Sequence, residues 1–195
     1  MDTIVAKITN DSLTDKKIYE QAGKILREGG LVAFPTETVY GLGADALDEE
    51  ASAKIYAAKG RPSDNPLIVH IADIEALYKL SCEVPDKALK LADKFWPGPL
   101  TMILKKSDIV PDSITGGLGT VAIRMPSHKV AAELIRTSGV YIAAPSANTS
   151  GKPSPTRASH VIKDLSGKID MIIEDDTVDI GVESTIIDLS EEVPT

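Results

Sequence analysis

Short apolar runs that end in polar residues recur along the chain, and they constrain its fold more strongly than any other feature. The clearest runs are Leu31–Phe34, Leu67–Ile71, Leu100–Leu104, Val121–Pro126 and Val140–Ala144. Each has the length of a buried strand, and segments with helical periodicity separate them. This alternation predicts an α/β domain on one twisted, mixed sheet, with roughly seven or eight strands and five or six helices.

The first of these runs leads into a turn that is rich in polar side chains. Pro35 has no backbone N–H to donate, so we expect it to end the strand's pairing. Residues Thr36–Tyr40 then bring threonines, a glutamate and a tyrosine, while Gly41 and Gly43 permit close backbone approaches. Ligands of open α/β sheets commonly bind at strand ends. The stretch therefore predicts a ligand site rather than a solvated connection.

Polar side chains also stand at the ends of the other predicted strands. Together with the first turn, they comprise Thr36, Glu37, Thr38, Tyr40, His70, Arg124, Ser146, Asn148, Glu183 and Ser184. Candidate cations are Lys59, Arg61, Arg124 and Lys152. Cations, hydroxyls and exposed loop N–H groups are what a phosphate group needs from a protein. The pattern predicts one cleft, lined from several strands, that suits a nucleoside triphosphate or a phosphoester.

Taken one at a time, several of these residues also have purely structural interpretations. His70 could be a core histidine with satisfied hydrogen bonds. Arg124 could form half of a buried ion pair, with Glu37 or Glu183 as its partner. Lys59 could complement the dipole at the end of a helix. Their joint placement at strand and helix ends favours a binding site.

Composition narrows the class of protein. The chain has 195 residues and a formal net charge of −8, which argues against general binding of polyanions. Cys82 is its single cysteine, so no intrachain disulfide can form, as is typical of a reducing cytosol. No apolar run approaches the ~20 residues of a membrane span, and Met1–Ile4 does not start a secretory signal. We therefore expect a cytoplasmic protein without membrane association.

Several well-known motifs are absent or incomplete in this sequence. Residues Gly41–Ala46 fit a permissive dinucleotide pattern, but no acidic ribose partner follows at a strand end about 20 residues later. There is no P-loop, and Ser146–Asn148 lacks the partner motifs of penicillin-binding acyltransferases. His70, His128 and His160 are scattered along the chain. We therefore expect no metal site built from protein side chains.

Six sequence blocks in register resemble the threonylcarbamoyl-AMP synthase family, the YrdC-like proteins. They are Pro35–Gly43, Lys59–Leu67, Trp96–Thr101, Val121–Pro126, Ala144–Gly151 and Glu183–Ile186. The resemblance implies a YrdC-like α/β domain with flanking helices around a large concave basic cavity. It further implies that residues 1–195 are the catalytic domain of a longer two-domain member, with a C-terminal linker and a second domain absent.

The reaction implied by the resemblance condenses L-threonine, bicarbonate or CO2, and ATP into threonylcarbamoyl-AMP and pyrophosphate. Mg²⁺ would be bound through the ATP phosphates. A separate threonylcarbamoyl transferase complex would then modify an adenosine of tRNA, so tRNA would be an indirect partner. Such an enzyme needs no protein nucleophile, which agrees with the absence of a catalytic triad.

The resemblance also implies roles for particular residues, whereas Thr36 and Glu37 receive none. Residues implied to bind L-threonine are Thr38, His70, Arg124, Ala144 and Ser184. Residues implied to bind ATP are Arg61, Asn65, Thr120, Ser146, Asn148 and Ser154. Lys59, Arg61 and Arg124 are the implied catalytic residues.

Two other functions remain open at this point. The same basic cavity could bind RNA, although the acidic total charge and the scarcity of interleaved aromatic residues argue against broad affinity for RNA. A related domain also occurs in carbamoyl-transferring hydrogenase-maturation proteins. Those proteins carry acylphosphatase and zinc-binding regions that this sequence lacks.

Overall fold

One mixed sheet with helices on both faces organises the chain in the computed structural model, which describes residues 2–175 and 178–195. The strands are β1 (Ile4–Lys7), β2 (Val32–Pro35), β3 (Tyr40–Asp45), β4 (Ile68–His70), β5 (Leu100–Lys105), β6 (Thr120–Arg124), β7 (Ile142–Ala143), β8 (Met171–Glu174) and β9 (Thr185–Asp188). The helices are α1 (Ser12–Arg27), α2 (Glu49–Lys59), α3 (Glu75–Leu80), α4 (Asp86–Phe95), α5 (Asp112–Thr115), α6 (Lys129–Ser138) and α7 (Ala158–Leu165).

The sheet has the strand order β1-β8-β2-β3-β7-β4-β6-β5-β9. Parallel pairs join β1 to β8, β8 to β2, β4 to β6 and β5 to β9. The other neighbours, β2–β3, β3–β7, β7–β4 and β6–β5, are antiparallel. The prediction of a mixed sheet in an α/β domain is therefore confirmed.

Each face of the sheet has its own hydrophobic core, and β2 shows how the sequence divides between them. Val32 and Phe34 pack with α1 and α6 on one face. Ala33, between them, belongs to the core on the other face, which includes residues of α2, α3, α4 and α7. Successive side chains of a strand point to opposite faces, so a strand covered on both faces is apolar throughout.

The structure corrects the prediction for the stretch after β2. Residues Tyr40–Asp45 form β3, an antiparallel partner of β2, where the sequence indicated an irregular glycine-containing stretch. Pro35 still takes part in the pairing, opposite Tyr40 at the end of the hairpin. The polar turn is therefore only Thr36–Val39, and it closes a hairpin at the centre of the sheet.

Within the described residues, the structure has nine strands and seven helices, which is more than the sequence predicted. One difference is β3. Another is α5, a single helical turn inside a segment that lacks a long apolar run. Conversely, the run Val140–Ala144 yields only the two residues of β7, because the chain then turns along β3.

None of the helices in the described part of the chain combines the length and the apolar character needed to cross a membrane.

Gly43 is the position where β3 most needs a glycine. A Cβ atom there would lie 2.7 Å from Ile142 Cγ2 and 2.8 Å from Phe34 Cε1. We expect Gly43→Ala to lower the free energy of unfolding by about 1–3 kcal/mol, because the packed core must shift to admit the methyl group. Urea denaturation followed by circular dichroism measures this change.

Gly119→Ala is the matched control, since nothing lies within 4 Å of a Cβ atom at that position. Its effect on the free energy of unfolding should stay within about 0.5 kcal/mol. Equal stabilities of the two variants would show that the packing around Gly43 does not limit β3.

Candidate functional site

A cavity of about 370 Å³ is lined by residues of β4, β5, β6 and β9, of the segment that follows β7, and of the β2–β3 turn. Its volume is in the range of small-molecule sites. Eight of the residues to which the resemblance gave a role line this cavity. They are Thr38, Arg61, Asn65, His70, Arg124, Ala144, Ser146 and Ser184. The structure thus brings polar side chains from several strands together at one cavity.

The pairing of the strands explains why these side chains meet. His70 and Arg124 are register partners at the ends of the parallel strands β4 and β6. After β7, the chain continues beside β3, where the Ala147 N–H donates to Tyr40 O at 2.8 Å and Gly41 is bridged to Ser146. Ser146 is thereby brought to the same edge of the sheet as the β2–β3 turn.

Arg124 is the most tightly held cation in the cavity wall. Only 4% of its surface is exposed. Its Nη2 lies 2.7 Å from Glu37 Oε1, and its Nη1 donates to Thr38 Oγ1 at 3.0 Å. Its Nε donates to the carbonyl of Gly98 at 3.4 Å. The buried ion pair considered from the sequence is therefore present, and Glu37 rather than Glu183 is the partner.

Glu37 remains ionised in this environment. Burial alone would raise the pKa of Glu37, but the charge and hydrogen bond of Arg124 outweigh that effect, and the pKa lies below its usual value. The pair is consequently a carboxylate and a guanidinium whose charges cancel. Glu37, left unassigned at the level of sequence, thus fixes the position of Arg124.

His70 is buried beside this pair in its neutral form. Its ring meets the ring of Phe34 edge-on, with 6.2 Å between the centroids and an angle of 89°. Its Nδ1 lies 3.1 Å from the carbonyl oxygen of Ile68. Burial, followed by the charge of Arg124, lowers the pKa of His70 to about 3. The imidazole therefore offers a hydrogen-bonding group without a charge at neutral pH.

Hydroxyl groups complete the wall near Arg124. Thr38 Oγ1 lies 2.9 Å from Thr36 Oγ1, and Ser184 Oγ lies 2.7 Å from Thr101 Oγ1. Thr36 and Thr101 support hydroxyls that face the cavity, and sequence reasoning assigned neither of them. The Thr-x-Thr spacing offers a hint for Thr36, whereas no local signal marks Thr101 within its strand.

Arg61 and Asn65 line the cavity from the loop between α2 and β4. Arg61 Nη2 donates to the carbonyl of Pro66 at 3.3 Å. The buried Arg61 Nε has no hydrogen-bond acceptor among the described residues. An arginine at a cavity wall can bind an anionic ligand through its guanidinium N–H groups.

Lys59 does not line the cavity but holds the loop that does. Its ammonium group donates to the carbonyls of Ser146 and Asn148, the latter at 2.7 Å. In return, the Ser150 N–H donates to the carbonyl of Lys59 at 2.8 Å. Burial, together with the charge of Arg61, lowers the pKa of Lys59 to about 8. The structure therefore places Lys59 behind Ser146 rather than in the cavity.

Three further predicted residues also lie outside the lining. Thr120 pairs with Lys105 at the end of β6 opposite to Arg124. Asn148 donates its amide to the carbonyls of Thr149 and Lys152, at 3.0 and 2.7 Å. Ser154 donates to Glu183 Oε1 at 2.6 Å, and Glu183 itself lines the cavity. Ser154 is thus connected to the cavity through Glu183.

The lining combines two arginines, Arg61 and Arg124, with one glutamate, Glu183. Among the described residues that form it, there is no Phe, Tyr or Trp on which a nucleobase could stack. A cluster of three or more His, Cys, Asp or Glu side chains suited to a metal ion is not found in residues 2–175 and 178–195. These features suit a compact, polar ligand better than an RNA strand.

Comparison with known proteins yields a consistent set of relatives. A family model described as Telomere recombination (Sua5_yciO_yrdC) matches residues 24–195. A Pyrococcus abyssi protein named threonylcarbamoyl-AMP synthase is 58% identical over 192 residues, which cover 98% of this chain and 56% of that protein. A Bacillus subtilis protein of the same name is 55% identical over 188 residues, covering 96% of this chain and 54% of that protein. The chain thus spans just over half the length of each relative.

A solved structure gives the same result. The crystal structure of P. abyssi Sua5 complexed with L-threonine matches this chain with a TM-score of 0.93 and 56% sequence identity. The match covers 100% of this chain and 56% of that one. The fold predicted from the sequence blocks is therefore confirmed.

The burial of His70 leads to a prediction about pH. In NMR titrations, the ring of His70 should still be neutral when the pH has fallen to 5, and it should take up a proton only near pH 3. An unfolded histidine has a pKa of about 6.5, so the unfolded chain binds this proton first as the pH falls. The contribution of His70 to stability is therefore complete above about pH 6.5 and is lost towards pH 3.

The control is His70→Gln, in which this proton uptake is absent. Its free energy of unfolding should fall less steeply between pH 6.5 and 4 than that of the wild type. A wild-type His70 resonance with a midpoint near its ordinary value would contradict the burial argument.

Proposed function

Because this chain belongs to the Sua5/YciO/YrdC family, we propose that it forms threonylcarbamoyl-AMP and pyrophosphate from L-threonine, bicarbonate or CO2, and ATP. One observation carries the proposal. A single cavity of about 370 Å³ brings the residues implied to bind L-threonine together with Arg61, Asn65 and Ser146, which are implied to bind ATP. The proposal is that residues 1–195 act as the catalytic domain.

The charges around Arg124 suit a zwitterionic amino acid. The guanidinium of Arg124 would bind the carboxylate of L-threonine through N–H groups that its protein partners do not use. Because Glu37 already neutralises Arg124, a ligand without net charge keeps the buried region neutral. His70, Ser184 and the backbone at Ala144 would contact the remaining polar groups of the amino acid.

The opposite side of the cavity would bind ATP. Arg61, whose buried Nε–H has no acceptor among the described residues, supports a contact with the phosphates, and Asn65 and Ser146 also line the cavity. Thr120, Asn148 and Ser154 would complete the nucleotide site from positions outside the present lining. Lys59 would contribute by holding the carbonyls of Ser146 and Asn148, so its catalytic effect would be indirect.

Mg²⁺ would arrive with the nucleotide. Among the described lining residues, Glu183 is the one carboxylate, and it already accepts a hydrogen bond from Ser154. This donor set fits an ion carried by phosphate oxygens rather than one held in a protein cage. When bound, the ion would neutralise negative charge on the phosphates.

The reaction would proceed by positioning and electrostatics. The ammonium group of the bound zwitterion first releases one proton to solvent. The amine nitrogen then forms a bond to the carbon of CO2 while one C–O π bond of CO2 opens, and the nitrogen loses a second proton to solvent. A carboxylate oxygen of the resulting carbamate then forms a bond to the α-phosphorus of ATP, while the bond from that phosphorus to the pyrophosphate oxygen breaks. Arg61 would stabilise the charge that grows on the leaving pyrophosphate. Arg124 would hold the nucleophile in place.

The product would be the substrate of a second enzyme. A threonylcarbamoyl transferase complex would transfer the threonylcarbamoyl group to an adenosine of tRNA and release AMP. On this proposal, the protein acts in the cytoplasm and meets tRNA only indirectly.

Replacement of Arg124 tests the amino-acid side of the site. We expect Arg124→Ala to reduce L-threonine-dependent pyrophosphate release from ATP by about 100-fold or more, because the carboxylate loses its partner. Arg124→Lys keeps a positive charge beside Glu37 but removes the planar fork, so it should fold normally and still raise KM for L-threonine by about tenfold. Arg136→Ala, at an exposed position of α6, is the control.

Unchanged turnover in Arg124→Lys and Arg124→Ala would refute the proposed amino-acid site. The wild-type protein itself tests the alternative of RNA binding. If it releases no pyrophosphate but retards RNA in a gel at physiological salt, RNA binding is the favoured function.

Replacement of Arg61 tests the nucleotide side. We expect Arg61→Ala to raise KM for ATP by about tenfold or more, since a charged hydrogen bond to phosphate is lost. The Kd for L-threonine, measured by calorimetry without nucleotide, should stay within about twofold of the wild-type value. Arg157→Ala, an exposed arginine before α7, is the matched control. An equal loss of L-threonine binding in Arg61→Ala would contradict the division of the cavity into two sides.

A further inference from the structure

Thr101 and Ser184 form a pair of hydroxyl groups at the cavity, and only Ser184 has been implied to bind a ligand. Ser184 lines the cavity, whereas Thr101 does not. The distance between Thr101 Oγ1 and Ser184 Oγ is 2.7 Å. From that distance alone, either hydroxyl could donate its hydrogen to the other.

The pairing of β5 with its neighbours places Thr101 beside Ser184. Thr101 is the register partner of Arg124 in the antiparallel pair of β5 and β6, so both side chains lie on the same face of the sheet. The Thr185 N–H donates to the carbonyl of Pro99 at 2.9 Å, which ties the start of β9 to the start of β5. Thr101 is 0% exposed, so its hydroxyl reaches the cavity only through Ser184.

The burial of Thr101 determines the direction of this hydrogen bond. A threonine hydroxyl has one hydrogen and can accept through two lone pairs. Among the described residues, Ser184 Oγ is the one hydrogen-bond partner of Thr101 Oγ1. If Ser184 were the donor, the hydrogen of Thr101 would be buried without an acceptor, which is costly. The Thr101 hydroxyl therefore donates to Ser184 Oγ.

The same count shows what Ser184 can offer a ligand. Its oxygen accepts from Thr101 through one lone pair, and its own hydrogen has no acceptor among the described residues. Ser184 is half-buried and lines the cavity, so this hydrogen is within reach of a bound molecule. Ser184 consequently keeps its hydrogen for a ligand, together with one lone pair.

We propose that Thr101 is a positioning residue for ligand binding, because its donation to Ser184 Oγ leaves the hydrogen of Ser184 free for an acceptor oxygen of the ligand. The inference rests on the proposed function for the identity of that ligand. In L-threonine, the acceptors are the oxygens of the carboxylate and of the β-hydroxyl.

A purely structural role for Thr101 makes a different prediction. If only its packing mattered, Thr101→Val would bind L-threonine as the wild type does, since valine keeps the shape and removes the hydroxyl. If the hydroxyl only stabilised the sheet, any loss of binding would be independent of Ser184. Coupling between Thr101 and Ser184 in ligand binding therefore separates these interpretations from the proposal.

A double-mutant cycle measures this coupling. The Kd for L-threonine is determined by calorimetry, without nucleotide, for the wild type, Thr101→Val, Ser184→Ala and the double variant. We expect Ser184→Ala to bind about tenfold more weakly, the value of one hydrogen bond. Thr101→Val should bind about threefold to tenfold more weakly, because the Ser184 hydroxyl is no longer preorganised. The double variant should bind within about twofold of Ser184→Ala, since Thr101 acts through Ser184.

Two further variants are the controls. Thr101→Ser keeps the hydroxyl, so its Kd for L-threonine should lie within about twofold of the wild-type value. Thr115→Val removes the hydroxyl of another buried threonine, one whose partner is the carbonyl of Asp112 within α5. Its Kd should also lie within about twofold of the wild-type value, because surface and core changes distant from a site act independently of it.

Several outcomes would overturn the inference. Additive losses, with the double variant weaker than Ser184→Ala by the full factor lost in Thr101→Val, would show that Thr101 acts independently of Ser184. Unchanged binding by Thr101→Val would do so as well. A loss in Thr101→Ser as large as that in Thr101→Val would show that the hydroxyl is not the group that matters.

Neutron diffraction of the wild-type protein without ligand tests the direction of the hydrogen bond itself. We expect the deuterium of Thr101 to lie between the two oxygen atoms and that of Ser184 to point into the cavity. A Ser184 deuterium between the two oxygens would refute the inference, even if Thr101→Val fails to fold. If the wild-type protein binds no L-threonine, the proposed function fails, while the neutron map still decides whether Ser184 is free to donate.

Discussion

The candidate site depends on the buried ion pair between Arg124 and Glu37. The pair joins the end of β6 to the β2–β3 turn, although β7 and β4 lie between β3 and β6 in the sheet. Removing one partner of such a pair leaves an uncompensated charge and costs about 3–5 kcal/mol, so the turn and the strand end are held in one arrangement. The hydroxyl of Thr38 shares that arrangement because it accepts from the same guanidinium.

Much of the fold could be predicted because most strands are short apolar runs covered on both faces. Leu31–Phe34 and Leu100–Leu104 fall within about one residue of β2 and β5 at each end. β3 could not be found in this way. Its sequence, Tyr40–Asp45, contains two glycines. At Gly43, a side chain would collide with Ile142 and Phe34. That requirement is tertiary, and no local pattern carries it.

From the sequence, the candidate site could be predicted only as a set of residues that come together. Polar residues at strand ends converge because neighbouring strands end at one edge of the sheet, and this explains His70 and Arg124. Local sequence does not show whether a side chain faces the cavity or a neighbouring loop. Lys59 illustrates the limit, since its ammonium group turns to the carbonyls of Ser146 and Asn148. Hydroxyl directions, as at Thr101, depend on a complete set of hydrogen-bond partners.

The two sides of the cavity differ in how far the protein fixes them in advance. Around Arg124, the side chains of Glu37, Thr38 and His70 are buried, Arg124 is held by Glu37 and Thr38, and His70 is neutral, so a ligand meets groups whose orientations are already set. Around Arg61, a guanidinium N–H lacks an acceptor and Asn65 is exposed, so the contacts there are completed by the ligand. A preorganised region discriminates between ligands because a mismatched group leaves buried partners unpaired. On the proposed function, selectivity would therefore reside on the amino-acid side, while the more open side would accommodate the nucleotide.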